Sequence, residues 1–257
     1  MFQPAIYANA IPMWIKEYMD QNGPKAPIII GISGGKDSSI TAAACVKAVG
    51  KERVIGVLMP NGIQKDINTA EKLCRHLGIK WFIYNIGPVI KAQQDVFATL
   101  KFKDFKDPND TVKFNNPARI RMATLYYIAN QLGGRVANTC NMSETYVGYD
   151  TAWGDQAGDF SPFQYFTASE VKLIGKELGL PDEFINVAPS DGMCGQTDEE
   201  RWGFSYDLLD NYLRGGTIYE ITTEQIEKMH KAAMYKNVRV FLPHFVYEPS
   251  GSRKLLQ

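Results

Sequence analysis

Histidine is scarce in this 257-residue chain: only His76, His230 and His244 are present, and none sits in a motif. The four cysteines, Cys45, Cys74, Cys140 and Cys194, are far apart and form no C-x-x-C pair. That spacing speaks against a thiolate zinc site, a redox dithiol and a disulfide framework, and buried reduced thiols are expected. Neither sign of charge is in excess, since 28 Lys and Arg balance 28 Asp and Glu. A net charge of zero argues against a strongly electrostatic binder of nucleic acid or membrane surface. No apolar run approaches the ~18 residues of a membrane span. The N-terminus has no basic segment ahead of an apolar one, so no signal peptide is expected. Repeats, linkers and low-complexity tracts are also missing. Residues 1–257 therefore read as a single domain, cytoplasmic, with ample length for a real core.

What the chain does have is alternation. Ile11, Trp14, Ile15 and Tyr18 fall at helical spacing over residues 9–21, and the pattern stops at Gly23 and Pro24. "PIIIGIS" is a short continuous apolar run, the mark of a strand buried on both faces. A helical "SSITAAACVKAVG", a strand "RVIGVLMP", a helix "INTAEKLCRHLG" and a strand "IKWFIYNI" follow, and "RVANT" reads as a fourth strand. The alternation predicts an α/β fold with a parallel sheet and helices on both faces. Residues 104–117, "DFKDPNDTVKFNNP", are polar and end in proline, so a surface loop is expected. Helices are expected over "ARIRMATLYYIANQLGG", "TASEVKLIGKELG", "SYDLLDNYLRGG" and "TEQIEKMHKAAMY", with loops between.

Between the first strand and its helix lies "GISGGKDSS", residues 31–39, at the carboxyl end of the sheet, where doubly wound folds bind ligands. Glycines there let backbone N–H groups approach an anion, and the following helix adds its positive end. Ser33, Ser38 and Ser39 add hydroxyls, and Lys36 a point charge. A Walker loop this is not: G-x-x-x-x-G-K-[ST] would need glycine at Ile30 and a hydroxyl at Asp37. An acid in an anion nest repels phosphate unless a cation lies between them, and a hard Mg²⁺ ion resolves the conflict. The bland alternative makes Asp37 a helix-capping residue in a tight turn. It leaves the glycines and hydroxyls unexplained.

S-G-G-x-D-S after a first strand resembles the pyrophosphate loop of the ATP-pyrophosphatases, in which a substrate receives AMP and pyrophosphate departs. Further blocks narrow the resemblance. "LMPNGIQKD" carries Pro60, Gln64 and Asp66 in a P-x-x-x-Q-x-D pattern. "NNPARIRMATLYYIAN" carries Asn115, Arg119, Arg121 and Met122. "NTCNMSETYVGYDTAWGDQAGDFSP" fits N-x-S-E-x-x-x-G-Y-x-T-x-x-G-D-x-x-x-D-x-x-P, and "QTDEERWGFSYDLLD" fits Q-[ST]-D-E-x-x-x-G-x-S-Y-x-x-[IL]-D. In this order, over residues 28–214, the blocks resemble the NAD synthetases in their short form, which lacks a nitrilase-like glutaminase domain.

The resemblance implies a doubly wound parallel sheet of five strands, with ATP as co-substrate and Mg²⁺ as the metal. It implies that ammonia, from solution or a separate source, amidates deamido-NAD through an adenylated carboxylate in a homodimer. It puts Gly31, Ile32, Ser33, Gly34, Gly35, Lys36, Asp37 and Ser38 on ATP, with Gln64, Thr139 and Ser190 near the nucleotide. Asp37 and Glu144 fall on magnesium, and Arg119, Asp159 and Lys236 on deamido-NAD. Asp155 or Asp159 is our candidate to deprotonate ammonium. The bland alternatives are a capping acid for Glu144 after Ser143, a turn serine for Ser190, and a surface ion pair for either arginine. Arg121, two residues beyond Arg119 on one helix, is expected to point elsewhere.

Three positions depart from the family. Ala152 and Ala168 stand where lysines are expected, and Tyr235 where a histidine is. Each lost phosphate contact costs roughly 1.5–3 kcal/mol, and Lys36, Lys172, Lys236 and Arg239 are the candidates to compensate. A rival is therefore an adenylating amide ligase acting on another carboxylate. An RNA-thiolation-type enzyme would want a basic surface and a cysteine pair. A non-catalytic nucleotide binder would have less need of two carboxylates.

Overall fold

The computed structural model describes residues 2–63, 67–100, 109–187 and 198–236. Gln64, Ser190, Cys194, Arg239 and His244 lie outside them. The chain opens with α1 (Pro4–Asn22), whose Pro4 occupies the first turn, where a missing N–H is no loss. β1 (Ile28–Gly31) and α2 (Lys36–Val49) follow, then β2 (Val54–Leu58), α3 (Ile67–Leu77) and β3 (Lys80–Ile83). Next come α4 (Gly87–Ala98), α5 (Asp110–Leu132) and β4 (Arg135–Val136). The remainder is helical: α6 (Met142–Val147), α7 (Ala168–Glu177), α8 (Asp182–Ile185), α9 (Asp198–Trp202), α10 (Tyr206–Leu213) and α11 (Glu220–Ala233). Among the described residues no helix is long and apolar enough to cross a membrane.

The four strands are parallel in the order β3-β2-β1-β4, with Ile28 level with both Val54 and Arg135. Successive strand residues face opposite ways. Ile28 and Ile30 pack against Ile15, Ile40 and Leu73 on one face. Ile29, with Val57 and Val136, packs against Met122, Leu125 and Ile128 on the other. A third cluster joins α6, α10 and α11 around Trp202, Phe204 and Leu209. From β1 the chain crosses to β2 on one side and later returns to β4 on the other. The carboxyl end of β1 is thus the topological switch point of the sheet, and its crevice is the natural ligand site.

Two expectations are corrected. Of the expected fifth strand, the described residues keep one parallel bridge, Ala137 to Phe160. Pro162, without an N–H, cannot extend that ladder. The loop expected over residues 104–117 gives way to helix from Asp110 onward, and the side chain of Asn109 caps it by accepting from Val112 N. Pro117 suggested a helix start but lies buried inside α5, so the helix begins almost two turns earlier.

Candidate active site

Gly34 turns the chain from β1 into α2 with φ +90°, a backbone that favours glycine. Hydroxyls then lock the turn. Ser33 Oγ accepts from Gly35 N at 3.1 Å and lies 3.1 Å from Ser38 Oγ, which donates to Gly35 O at 3.0 Å. The N-cap of α2 is Gly35, which has no side chain to cap with, and Asp37 sits inside the first turn. The capping alternative for Asp37 is therefore wrong. Instead Lys36 Nζ lies 2.7 Å from Asp37 Oδ2 and 3.9 Å from Glu144 Oε1. Only 5% of Lys36 is exposed, and its ammonium also rests 5.0 Å from the Tyr206 ring centre. The two acids, 107 positions apart in sequence, already share one cation.

Glu144 reaches this place through α6. Asn141 is the N-cap of that helix, its Oδ1 accepting from Glu144 N at 3.1 Å, so Ser143 is not the cap. The same side chain donates from Nδ2 to Asp37 Oδ1 at 3.1 Å. Asn141 received no role from sequence. The available signal was an Asx residue three before an acid, the ordinary mark of a helix N-terminus.

The loop and Glu144 line a cleft of about 2200 Å³. All of residues 31–38 border it, with Thr139, Glu144, Asp155, Arg119 and Lys236. Asp159 does not. Its carboxylate accepts from Val136 N at 2.7 Å and Tyr126 Oη at 3.2 Å, serving the sheet edge. Arg121, expected to point away, lines the cleft too, donating from Nε to Met59 O at 3.0 Å. Burial lowers its pKa, and the charge of Asp155 partly offsets the effect.

The floor beyond the loop is acidic. Burial raises the pKa of Asp155, against the pull of a 2.7 Å hydrogen bond from Thr151 N. Asp150 is pushed up to about 6, first by burial and then by the charge of Asp155. Both its carboxylate oxygens are buried outside full hydrogen-bonding geometry, although the Thr145 hydroxyl and Lys236 pull its pKa partly back. Lys236 Nζ donates to Gly148 O at 2.7 Å and Asp150 O at 2.8 Å. Cys140 lies among Asp155, Glu144, Asp150 and Asp37, and burial with these charges raises its thiol well above the ordinary value. Such a thiol is inert, in keeping with the buried free thiols of Cys45 and Cys74.

The sequence model of the NAD synthase family matches residues 7–241. The chain belongs to the NAD synthase family. It is 40% identical over 225 residues to the NH(3)-dependent NAD(+) synthetase of Methanocaldococcus jannaschii, covering 86% of this chain and 84% of that one. Among solved structures, the NMN synthetase of Francisella tularensis superposes with a TM-score of 0.86 at 31% identity, over 95% of this chain and 100% of that one. The NH3-dependent NAD synthetase of Campylobacter jejuni shares the fold, with a TM-score of 0.74 at 24% identity, over 96% and 100%. Within the NAD synthase family the departures at Ala152 and Ala168 now have structural settings. Ala168 is 1% exposed at the start of α7, beneath a Thr167–Glu170 capping box, so its side chain faces packed core. Ala152 presents its carbonyl to Arg119 Nε at 3.1 Å. Tyr235 is 61% exposed and lines the cleft.

Proposed function

We propose that this chain is an ammonia-dependent carbon–nitrogen ligase that amidates the nicotinate carboxylate of deamido-NAD at the expense of ATP, giving NAD, AMP and pyrophosphate. The observation that carries the reading is the pairing of Asp37 and Glu144 about one cation beside the α2 N-terminus, at the switch point of the sheet.

The substrate carboxylate attacks the α-phosphorus of ATP, and pyrophosphate leaves as the acyl adenylate forms. The positive end of α2 faces the departing charge, and Lys36 adds its own. Ammonia then attacks the activated carbonyl and AMP leaves. Asp155, exposed in the same cleft and with its pKa raised, is our candidate to accept the proton that ammonium gives up. Asp37 and Glu144 offer the hard oxygen donors suited to Mg²⁺, which when bound neutralises polyphosphate charge. No protein nucleophile is needed: the work is positioning and charge stabilisation.

A second copy of this chain is proposed to cover the sheet edge at β3, where Phe82 and Ile83 are exposed. A homodimer in the cytoplasm, drawing ammonia from solution, is the resulting picture. A second reading changes only the acid. The likeness to the Francisella NMN synthetase, with alanine at residues 152 and 168, supports a mononucleotide carrying the same nicotinate. Purified protein with Mg·ATP and ammonium, offered deamido-NAD or nicotinate mononucleotide, decides between them. AMP and pyrophosphate are the expected products. ADP, or no turnover with either acid, would overturn the reading.

A further inference from the structure

Tyr206 and Asp210 are the last named positions of the Q-[ST]-D-E-x-x-x-G-x-S-Y-x-x-[IL]-D segment, and neither lines the cleft. They stand four residues apart on α10, hence on one face, and both are buried, at 6% and 7% exposed. The Tyr206 ring lies 5.0 Å from Lys36 Nζ, the cation that Asp37 and Glu144 share. Asp210 is a buried carboxylate, costly unless it is well bonded.

Its bonds lead to the same acids. Asp210 Oδ1 accepts from Ser143 Oγ at 2.5 Å, and Oδ2 accepts from Ser169 N at 2.7 Å. Ser143 Oγ in turn accepts from Ala168 N at 3.0 Å. The carboxylate thus meets the positive end of α7 and holds the hydroxyl of the residue just before Glu144. The first turn of α6 is tied residue by residue. Met142 N donates to Phe166 O at 2.8 Å, Ser143 to Asp210, and Glu144 N to Asn141 Oδ1. A helix of six residues has little stability of its own, so such ties set its place and with it the place of Glu144. The tie to Asp210 is charge-assisted and short, which makes it a strong one. It also joins α6 to the helix whose Tyr206 backs Lys36.

We infer that Asp210 is a positioning residue that, through Ser143, holds the Glu144 carboxylate in register with Asp37 for a divalent cation. One face of α10 then supports both sides of the cluster, Lys36 through Tyr206 and Glu144 through Asp210. The inference rests on the reading given above, in which the two acids hold the metal of ATP.

Calorimetric titration with the Mn²⁺ complex of an ATP analogue that cannot be cleaved between its α- and β-phosphates tests it without turnover. Mn²⁺ takes the same hard oxygen donors as Mg²⁺. Partners that orient a metal ligand typically carry ten- to a hundredfold in metal affinity, so S143A and D210N should each weaken binding of the complex by roughly tenfold. D210N keeps the side-chain volume but offers one acceptor oxygen to two donors, and S143A is the milder change should D210N fold poorly. The double variant should bind within about twofold of the weaker single, because both substitutions cut one chain of bonds. Unchanged affinity in both single variants, whatever their melting temperatures, overturns the assignment, and so do additive losses in the double. A general loosening of the site would raise KM for the nicotinate nucleotide by as much, and that result overturns it too. E144Q that binds the complex as tightly as wild type overturns the metal reading itself, so the two failures are told apart.

Discussion

The side-chain amide of Asn141 donates to Asp37 Oδ1 at 3.1 Å, and its carbonyl oxygen accepts from Glu144 N at 3.1 Å. One neutral residue therefore sets the positions of both acids. Asn141→Leu removes the cap on α6 and the donor to Asp37 together. Losing the cap alone costs about 0.5–2 kcal/mol. N141D keeps a capping oxygen but replaces the amide donor with a like charge beside Asp37. If Asn141 aligns the acids, N141D retains most of the melting temperature lost by N141L yet shows a kcat at least tenfold below wild type. Wild-type kcat in N141D would show that the bond to Asp37 does no positioning.

Asp37 and Glu144 are held by Lys36 rather than by each other, which makes them separable by substitution. D37N keeps the size of the side chain and removes a charge that faces polyphosphate. Turnover should fall by a factor of a hundred or more, a usual loss when transition-state charge is left unmet. E144Q should raise the Mg²⁺ concentration needed for half-maximal rate. Activity of D37N within a few-fold of wild type, at any Mg²⁺ concentration, would remove the basis for assigning these two acids to the metal.

Asp150 gives the fold a defined pH response. Its folded pKa of about 6 lies above the ordinary 3.8, so between those values the folded chain holds a proton that the unfolded chain has lost. Stability from this group is therefore greatest in acid and declines as pH rises from about 4 to 6. The full effect is of order 3 kcal/mol, and Asp155, also raised by burial, acts in the same direction. D150N should unfold at higher denaturant than wild type at pH 8, and the gap should narrow by pH 5. A gap that widens in acid would reverse the argument.

The parts of the fold that were legible in sequence are those where local pattern and tertiary packing agree. Continuous apolar runs marked β1 and β2 because a parallel sheet buries both faces. The segment "TASEVKLIGKELG" was expected to be helical, and α7 forms there, its start closed by a Thr167–Glu170 capping box. Illegible parts depend on distant partners. Pro117 looked like a boundary, yet α5 runs through it because Asn109 caps the helix upstream. Asp159 matched a substrate-binding acid, but its carboxylate meets Val136 N at a sheet edge that no local pattern revealed. Arg121 was misplaced for a similar reason. The cleft wraps both sides of α5, reaching Ala152 through Arg119 and the end of β2 through Arg121.

Gly148 carries the last prediction. It ends α6 with φ +69°, and a Cβ built there would lie 2.2 Å from Ala233 Cβ on α11. Left-handed backbone costs a non-glycine residue about 1–2 kcal/mol, and forcing a methyl into a packed contact adds about 1–3 kcal/mol. The two strains act on one joint, since Lys236, just past α11, donates to the carbonyl of Gly148 itself. G148A should therefore lower stability by about 2–5 kcal/mol and loosen α11 from α6. Tyr146 reports the second effect directly: its ring stacks on His230 at 3.9 Å and its hydroxyl donates to Glu227 at 2.8 Å. Hydrogen exchange in α11 should rise in G148A while the β1 and β2 amides stay protected. Uniform loss of protection would mean that α11 and the sheet unfold as one unit, and an unchanged α11 would mean that the joint yields without strain.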